Sequence, residues 1–333
     1  MTEATIRDVA ARARVSVASV SRALNGLNNV RGDTRDRILA AAEELGYVPH
    51  AGARSLSLAR AHSIGVVLPD LHGEFFSECV RGMDREASRR GYLLLLSNMH
   101  DESDRAMKAL RAMRGRVDGL LVMAPHVAPE LLKEALSPAL PAVLINCRQA
   151  TPTRPSLRID NHAGAEAVVR HLVASGRKRI VHLAGPEGNV DARERAEGYC
   201  RSLEALLPGT APVILPGDFN ESAGDAAARR ILAGEIACDA VFAANDMMAL
   251  GCLHRLREAG IAIPETIAIA GFDDVPLARY LGLTTVQVRI AELGTRAVAR
   301  LLDQLEGKMQ GNEEVLLTPE LVLRGTTATN SQI

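Results

Sequence analysis

The strongest constraint on the fold is an alternation of short apolar runs with longer amphipathic segments, from about residue 62 almost to the end of the 333-residue chain. The apolar runs have the length of buried β-strands, and the segments between them have the periodicity of helices. Such alternation is typical of parallel sheets covered by helices on both faces. The predicted strands are Ser63–Pro69, Tyr92–Ser97, Val117–Ala124, Pro141–Asn146, Arg179–Ala184, Pro212–Leu215, Ala240–Ala244 and Thr266–Ala270.

These strands fall into two runs of four, which predicts two similar doubly wound subdomains. Ligands of such folds bind outside the carboxyl ends of the strands, so we expect a cleft between the two subdomains. The predicted helices of this region include Phe75–Arg90, Asp101–Arg114, Asn161–Ser175, Ala192–Leu207, Glu221–Leu232, Met247–Ala259 and Ile290–Glu306.

The residues before this region predict three short helices. Thr5 and Asp8 have the spacing of a capping box, which opens the first helix. Ser16 is in position to cap a second helix over Val17–Leu24, and a third runs from Thr34 to the stop signal at Gly46. The three-residue connection between the first two helices is that of a helix-turn-helix. Spacing alone is equally compatible with a helical hairpin that binds nothing.

The charge is unevenly distributed along the chain. Residues 1–62 contain nine Arg, no Lys and six acidic residues, whereas the whole chain contains 39 basic and 40 acidic residues. A basic head on a mildly acidic body suits a head that contacts a polyanion.

Other sequence features bear on the compartment and on cofactors. The five cysteines are scattered and form no Cys-x-x-Cys pair, so neither a disulfide framework nor a zinc site is indicated. The N-terminal residues lack the apolar stretch of a signal peptide, and no apolar run approaches the roughly 20 residues of a membrane span. We therefore predict a cytoplasmic protein without a cofactor.

Several motifs of the head resemble those of the lactose/galactose repressor family of bacterial transcription regulators. They are TIRDVA at Thr5–Ala10, VSVASVSRALN at Val15–Asn25, AAAEELGYVP at Ala40–Pro49 and RSL at Arg54–Leu56. The resemblance extends from about Thr5 to Thr326. It implies a helix-turn-helix head, a hinge helix and a periplasmic-binding-protein-like core. It also implies a dimeric repressor of a palindromic operator, controlled by a small-molecule effector.

The same resemblance implies the domain boundaries. The DNA-binding head would occupy residues 1–48 and the hinge 49–61. The N-subdomain of the core would comprise 62–160 with 291–319, the C-subdomain 161–290 with 320–329, and a tail 330–333.

For DNA binding, the resemblance implies that the second helix lies in the major groove. Val17 and Ala18 would contact base edges beside Ser21, and Arg22 would donate two hydrogen bonds to a guanine. Leu56 of each hinge would wedge into a minor-groove step, unless it is an ordinary packing leucine. In the predicted DNA interface, phosphates would be held by Thr5, Ser16, Asn25, Thr34 and Tyr47, and the hinge would contribute Arg54.

For the effector, strand ends and aromatic side chains indicate the cleft residues. Three of the five Phe fall in predicted cleft loops, although Phe75 or Phe76 could belong to the core. Aromatic faces with carboxylates and amides suit a polyhydroxylated ring. Purine-binding family members carry Arg and Thr where this chain has Asn189 and Asp191, which favours a sugar or sugar-like effector over a purine. The resemblance implies effector contacts from Phe76 with Phe75, Arg195, Phe219, Asn245 and Asp273, and the strand ends add Asp70 and Asn146 to the predicted set.

Two other classes of protein remain as alternatives from sequence. One is an enzyme on the same doubly wound fold, but the chain lacks a dinucleotide fingerprint, a phosphate loop and a nucleophile elbow. The other is a solute-binding transport protein, for which a signal peptide would be expected in place of the helical head. The resemblance favours a regulator over both.

Overall fold

A computed structural model describes residues 4–25, 30–48, 60–99, 103–148, 153–309 and 311–327 of the chain. The chain divides into two compact units, one of Met1–Ser63 with Arg114–Asp118 and one of Ile64–Met113 with Gly119–Ile333. The predicted hinge residues Arg54 and Leu56 lie outside the described residues. Across the described ranges, no helix is both long enough and apolar enough to span a bilayer.

The described part of the first unit contains helices α1 (Ile6–Ala13), α2 (Val17–Leu24) and α3 (Gly32–Glu44). Both predicted caps are confirmed. The backbone N–H of Thr5 donates to the Asp8 carboxylate at 2.8 Å, and Oγ of Ser16 accepts from the Ser19 N–H at 3.1 Å. The helices enclose a small core that includes the fully buried Val9, Val20 and Ile38.

The turn between α1 and α2 is strained at one residue. Arg14 has φ of 55°, in the left-handed region that favours glycine. The predicted start of α3 at Thr34 is wrong by two residues, since the helix begins at Gly32 after Arg31, which makes no side-chain capping bond. Without a capping side chain, the sequence contains no marker of that start.

The first sheet of the larger unit has six strands among the described residues, in the order β11-β5-β4-β3-β1-β2. The pairings of β1 with β3, β3 with β4, β4 with β5 and β5 with β11 are parallel. Its strands are β1 (Ser63–Leu68), β2 (Leu93–Asn98), β3 (Gly119–Met123), β4 (Ala142–Ile145), β5 (Ser156–Ile159) and β11 (Glu314–Leu317).

The helices associated with this sheet are α4 (Glu74–Arg89), α5 (Ser103–Met113), α6 (Pro129–Ala135) and α12 (Ile290–Leu305). Glycines allow α4 and α12 to pack closely. A Cβ on Gly82 would lie 1.9 Å from the Ala291 carbonyl oxygen, and one on Gly294 would lie 2.2 Å from that of Cys79. Larger residues at either position would force the helices apart.

The second sheet contains the strands β6 (Ile180–Leu183), β7 (Val213–Leu215), β8 (Ala240–Ala243) and β9 (Ala268–Ala270). Its strand order is β7-β6-β8-β9, and all of its pairings are parallel. A separate antiparallel pair joins β10 (Thr285–Gln287) with β12 (Glu320–Val322). The helices of this half are α7 (Asn161–Ala174), α8 (Val190–Leu206), α9 (Glu221–Leu232), α10 (Asp246–Glu258) and α11 (Pro276–Leu281).

The eight predicted strands and seven core helices are confirmed to within about two residues, but the prediction of two runs of four strands is wrong. The strands β5, β10, β11 and β12 were not predicted, nor were helices α6 and α11. Each of these elements has only three to seven residues. The four strands also carry polar residues such as Arg158 and Glu314, so they lack the apolar runs that identified the others.

Candidate functional site

Helix α2 presents a polar and small-residue face to solvent. Val17 is 41% exposed, and Ala18 and Arg22 are also exposed, while Val20 and Ala23 on the opposite side are buried. The helix contains no acidic residue that would repel a phosphate backbone. This face therefore combines apolar contact area with a solvent-exposed guanidinium.

The other predicted DNA-binding residues of the head surround this helix at its ends and on its neighbours. Thr5 and Ser16 are the exposed N-caps of α1 and α2, where backbone N–H groups and the helix dipole favour anions. Asn25, at the C-cap of α2, and Ser21 are half-buried. Two further predicted DNA-binding residues of the head are also half-buried. Thr34 lies in the first turn of α3, and Tyr47 packs against the small core.

A cleft between the two halves of the larger unit brings together all eight residues predicted to contact an effector. It contains about 730 Å³ of space free of atoms, including the part open to solvent. The predicted residues that line it are Asp70, Phe75, Phe76, Asn146, Arg195, Phe219, Asn245 and Asp273.

Aromatic rings form part of the cleft wall. The rings of Phe75 and Phe76 meet edge to face, with centroids 5.4 Å apart, and both are half-buried. Phe219 lies on the opposite half of the cleft, and its ring centroid is 5.9 Å from the guanidinium carbon of Arg195. The alternative that Phe75 or Phe76 serves only as core is not favoured, because both line the cleft.

Arg195 is the buried cation of the cleft, with 4% of its surface exposed. Its Nε donates to Oδ1 of Asn161 at 2.8 Å, and its Nη1 donates to the carbonyl oxygen of Ala244 at 2.5 Å. The guanidinium lies 3.8 Å from the centroid of the Phe272 ring. Its Nη1 is 3.6 Å from Oδ1 of Asp273. The arginine is thus held in one orientation from several sides.

The buried carboxyl groups around Arg195 have raised pKa values. Burial raises the pKa of Asp273 to about 7, against the lowering effect of Arg195, and the pKa of Asp191 is also raised by burial. Burial and the nearby charge of Asp273 raise the pKa of Asp246 well above its usual range. Strongly perturbed carboxyl groups in a cleft are typical of functional sites.

Asn245 and Asp246 have different structural roles at the start of α10. Asn245 is the cap, because its Oδ1 accepts from the Met248 N–H at 3.0 Å. Asp246 is the first residue of α10, and its carboxylate accepts from the Val275 N–H at 2.9 Å and from the hydroxyl of Thr285. Asp246 therefore fixes the loop that carries Asp273.

Three cleft residues have backbone conformations that are unusual for residues other than glycine. Their φ values are 49° for Asn146, 69° for Phe219 and 117° for Asp273. Such conformations cost on the order of 1–3 kcal/mol each and cluster at functional sites. All three of these residues line the cleft.

Two buried oxygen atoms of the cleft residues have no hydrogen-bond donor within the described part of the chain. They are Oδ1 of Asn146 and Oδ1 of Asp273, on residues that are 2% and 4% exposed. An unsatisfied buried acceptor costs about 1–3 kcal/mol, which a ligand donor would recover.

Contacts between the two halves lie close to the cleft. The backbone N–H of Val190 donates to the Pro125 carbonyl at 3.0 Å, and that of Leu277 donates to the Glu74 carboxylate at 2.9 Å. At the mouth, Nε2 of His72 is 3.4 Å from the carboxylate of Glu221. A change in closure would break or remake these contacts.

Sequence reasoning did not assign three polar residues to the site. Asn189 and Asp191 line the cleft at the start of α8, and Asn161 supports Arg195 from behind. Asn189 and Asp191 stand where ligand-binding residues occur in the resembling family, which was the available signal. Asn161 offered no signal beyond its place at the start of a predicted helix.

Family models and full-length relatives match this chain. The model for the bacterial regulatory proteins of the lacI family matches residues 5–50, and that for the periplasmic binding protein-like domain matches residues 169–327. The HTH-type transcriptional repressor CytR of Escherichia coli (strain K12) is 34% identical over 330 residues, covering 98% of this chain and 97% of the relative. The chain belongs to the lacI family of bacterial regulatory proteins.

Other relatives also match the chain over almost its full length. Catabolite control protein A of Priestia megaterium is 33% identical over 323 residues, with 96% of this chain and 97% of the relative covered. A structure of the lac repressor dimer bound to operator and the anti-inducer ONPF aligns with a TM-score of 0.86 at 29% identity, covering 98% of this chain and 99% of that chain. A complex of the transcriptional regulator CelR with cellobiose aligns with a TM-score of 0.70 at 29% identity, covering 97% and 99%.

Membership of the lacI family confirms the predicted fold class, a helix-turn-helix head followed by a periplasmic-binding-protein-like α/β core. It also confirms that the chain is a DNA-binding transcription regulator rather than an enzyme.

Proposed function

We propose that this lacI-family regulator is a cytoplasmic repressor, which binds a palindromic operator as a homodimer and changes its operator affinity when a sugar or sugar-like effector occupies the cleft. The observation that carries the proposal is the outward face of α2, where Val17 and Arg22 are exposed on a helix without acidic residues.

The proposed DNA contacts are of two kinds: some recognise bases, and others bind phosphates and position the protein on the duplex. Arg22 reads a guanine, while Val17, Ala18 and Ser21 contact neighbouring base edges. The phosphate contacts come from Thr5, Ser16, Asn25, Thr34 and Tyr47, which fix the register on the duplex. Arg54 and Leu56 belong to the proposed hinge between residues 49 and 61.

A dimer is supported by the lac repressor relative, which binds its operator in that form. A second copy would also cover an apolar edge of the first sheet. Strand β2 is its terminal strand among the described residues, and Leu93 is 71% exposed there, with Leu95 and Leu96 exposed beside it. Exposed apolar strand edges readily pair with another chain.

The proposed effector site is the cleft that holds Arg195 and Asp273. Relatives of known structure bind cellobiose in one case and ribose in another, at 29% and 27% identity. The residues proposed to contact the effector are Asp70, Phe75, Phe76, Asn146, Arg195, Phe219, Asn245 and Asp273. Effector binding would change the closure of the two subdomains and shift operator affinity, by a coupling of about 1–3 kcal/mol.

The experiment that tests this function is a selection of operators by full-length protein from a pool of random DNA, followed by gel shifts. We expect an enriched sequence with two-fold symmetry, and a stoichiometry of two chains per site. Addition of a cleft ligand, found by a thermal-shift screen of sugars and nucleosides, should change the operator affinity. Enrichment of no symmetric sequence would refute the proposal.

A further inference from the structure

The charged side chains that line the cleft are mostly acidic. Among the described lining residues, Asp70, Asp191 and Asp273 are carboxylates, and Arg195 is the only arginine or lysine. Asp191 and Asp273 are 8% and 4% exposed, so water screens them poorly. An anionic ligand would therefore enter a site that holds three carboxyl groups and one guanidinium among the described lining residues.

The single cation is already engaged by the protein. Two hydrogen bonds hold Arg195 on Asn161 and on the Ala244 carbonyl, and an aromatic ring stacks beneath its guanidinium. Oδ1 of Asp273 lies 3.6 Å from its Nη1. A phosphate or carboxylate of a ligand would have to compete with the Asp273 carboxylate for this guanidinium.

The unsatisfied groups of the cleft are acceptors. Oδ1 of Asn146 and Oδ1 of Asp273 are buried and have no donor among the described residues. A hydroxyl or amino group of a ligand can donate a hydrogen bond to these two oxygens, whereas an ionised phosphate or carboxylate can only place further acceptor lone pairs against them.

We propose that Asp191 and Asp273 make the cleft selective for uncharged or cationic ring molecules rich in hydroxyl or amino groups, and that they exclude phosphorylated and carboxylated forms of the same molecules. The proposal rests on the proposed function only in taking this cleft as the effector site. It makes Asp191 a residue that determines specificity.

A purely structural role for Asp191 must be distinguished from this one. Asp191 lies in the first turn of α8, where a carboxylate stabilises the helix, and its Oδ1 accepts from Nδ2 of Asn161 at 2.9 Å. Asparagine at position 191 retains the shape and can still accept that hydrogen bond while removing the charge. The substitution Asp191→Asn therefore separates specificity from folding.

The test measures affinities of full-length protein for matched pairs of probes by calorimetry and thermal shift. The matched probes are ribose with ribose 5-phosphate, uridine with uridine 5′-monophosphate, and a third set of glucosamine and glucose with glucuronate, which keeps the sugar ring. For at least one set, we expect the uncharged or amino member to bind ten or more times more tightly than its anionic partner. Asp191→Asn should reduce that ratio roughly tenfold, and Asp273→Asn should act in the same direction. Glu187→Gln, which removes an exposed carboxylate just before α8, should leave the ratio unchanged.

Three results would overturn the inference. They are anionic members that bind as tightly as their uncharged or amino partners in every set that shows binding, a ratio that Asp191→Asn and Asp273→Asn both leave unchanged, and binding by none of the uncharged or amino probes. Operator binding is measured separately by gel shift. A protein that binds its operator but prefers anions refutes only the cleft selectivity, whereas failure to bind any operator refutes the proposed function.

Discussion

Asn161 connects Arg195 to Asp191 through its side-chain amide: its Oδ1 accepts from Nε of Arg195 at 2.8 Å, and its Nδ2 donates to Oδ1 of Asp191 at 2.9 Å. The amide oxygen of Asn161 must face Arg195 and the amide nitrogen must face Asp191, because a guanidinium can only donate hydrogen bonds and a carboxylate accepts them. Asn161 is 1% exposed and follows directly after Asp160, at the point where the chain passes from β5 to α7.

We expect Asn161→Ala to weaken binding of a cleft ligand by roughly 10- to 100-fold, because hydrogen bonds to charged groups contribute about 1.5–3 kcal/mol and both partners lose one. The ligand is the probe with the highest affinity in the paired series, and calorimetry measures its dissociation constant. Operator affinity without ligand should be unchanged. Arg193→Ala is the control, since Arg193 is an exposed arginine of α8, the helix that carries Arg195. Equal losses in the two variants would argue against a positioning role for Asn161.

The raised pKa of Asp273 predicts a pH-dependent cost of burying this group. Its pKa is about 7 in the folded protein and near 3.8 in the unfolded chain, so the folded state binds more protons between these values. The free energy of unfolding should therefore decrease as the pH rises from about 4 to 7, with the cost fully present above 7. The charge of Arg195 opposes the raised pKa of Asp273. The pKa values of Asp191 and Asp246 are also raised by burial, so these two groups contribute to the same dependence of stability on pH.

Asp273→Asn should accordingly be more stabilising, or less destabilising, at pH 8 than at pH 5, where the wild-type carboxyl is largely protonated. Urea denaturation of ligand-free protein at both pH values measures the difference, and Glu187→Gln provides the control. A difference between variant and wild type that is the same at both pH values would contradict a raised pKa at this position.

Much of the cleft could be predicted because its residues follow strong local signals. Asp70, Asn146 and Asn245 each stand just after a buried apolar strand, and the carboxyl ends of parallel strands meet at one edge of a sheet. The rarity of aromatic residues made Phe219 conspicuous in its loop. Element boundaries and the capping box at Thr5 followed from equally local rules.

The remaining features depend on contacts between distant parts of the chain. Asn161 becomes part of the site through Arg195 and Asp191, which lie 34 and 30 residues further on. Strand β5 is stabilised by pairing with β11, and Arg158 on β5 is 3.3 Å from Glu314 on β11, so a segment without an apolar pattern forms a strand. Tertiary context overrides local propensity in such segments.

The exposed guanidinium of Arg22 should make a base-specific contact. We expect Arg22→Ala to cost about 1–3 kcal/mol of operator affinity and to remove the preference at one base pair of each half-site. Arg22→Lys is the matched control, because it keeps the charge but cannot form the same pair of hydrogen bonds. The lysine variant should retain more affinity than the alanine variant while showing the same relaxed preference. Gel shifts on operators substituted at each position give both quantities, and an equal loss on every sequence would indicate a phosphate contact instead.

Gly185 provides the space that the Phe219 ring occupies in the cleft wall. A Cβ at position 185 would lie 2.4 Å from two carbons of that ring and 2.9 Å from the Cβ of Ala192. The backbone of Phe219 is held in place, because Nδ2 of Asn245 donates to its carbonyl oxygen at 2.9 Å. The ring would therefore have to move rather than the loop.

Gly185→Ala should lower ligand affinity about tenfold and reduce the free energy of unfolding by about 1–3 kcal/mol, as overpacking of a well-filled region does. Phe219→Leu provides the comparison, because it removes the ring without adding a clash. Since Phe219 would contact the ligand, both variants should lose affinity, but in the double variant Gly185→Ala should cost less stability than it does alone. Calorimetry and urea denaturation measure the two effects. An additive double variant would show that the ring and the glycine are not coupled, since independent sites contribute separately to stability.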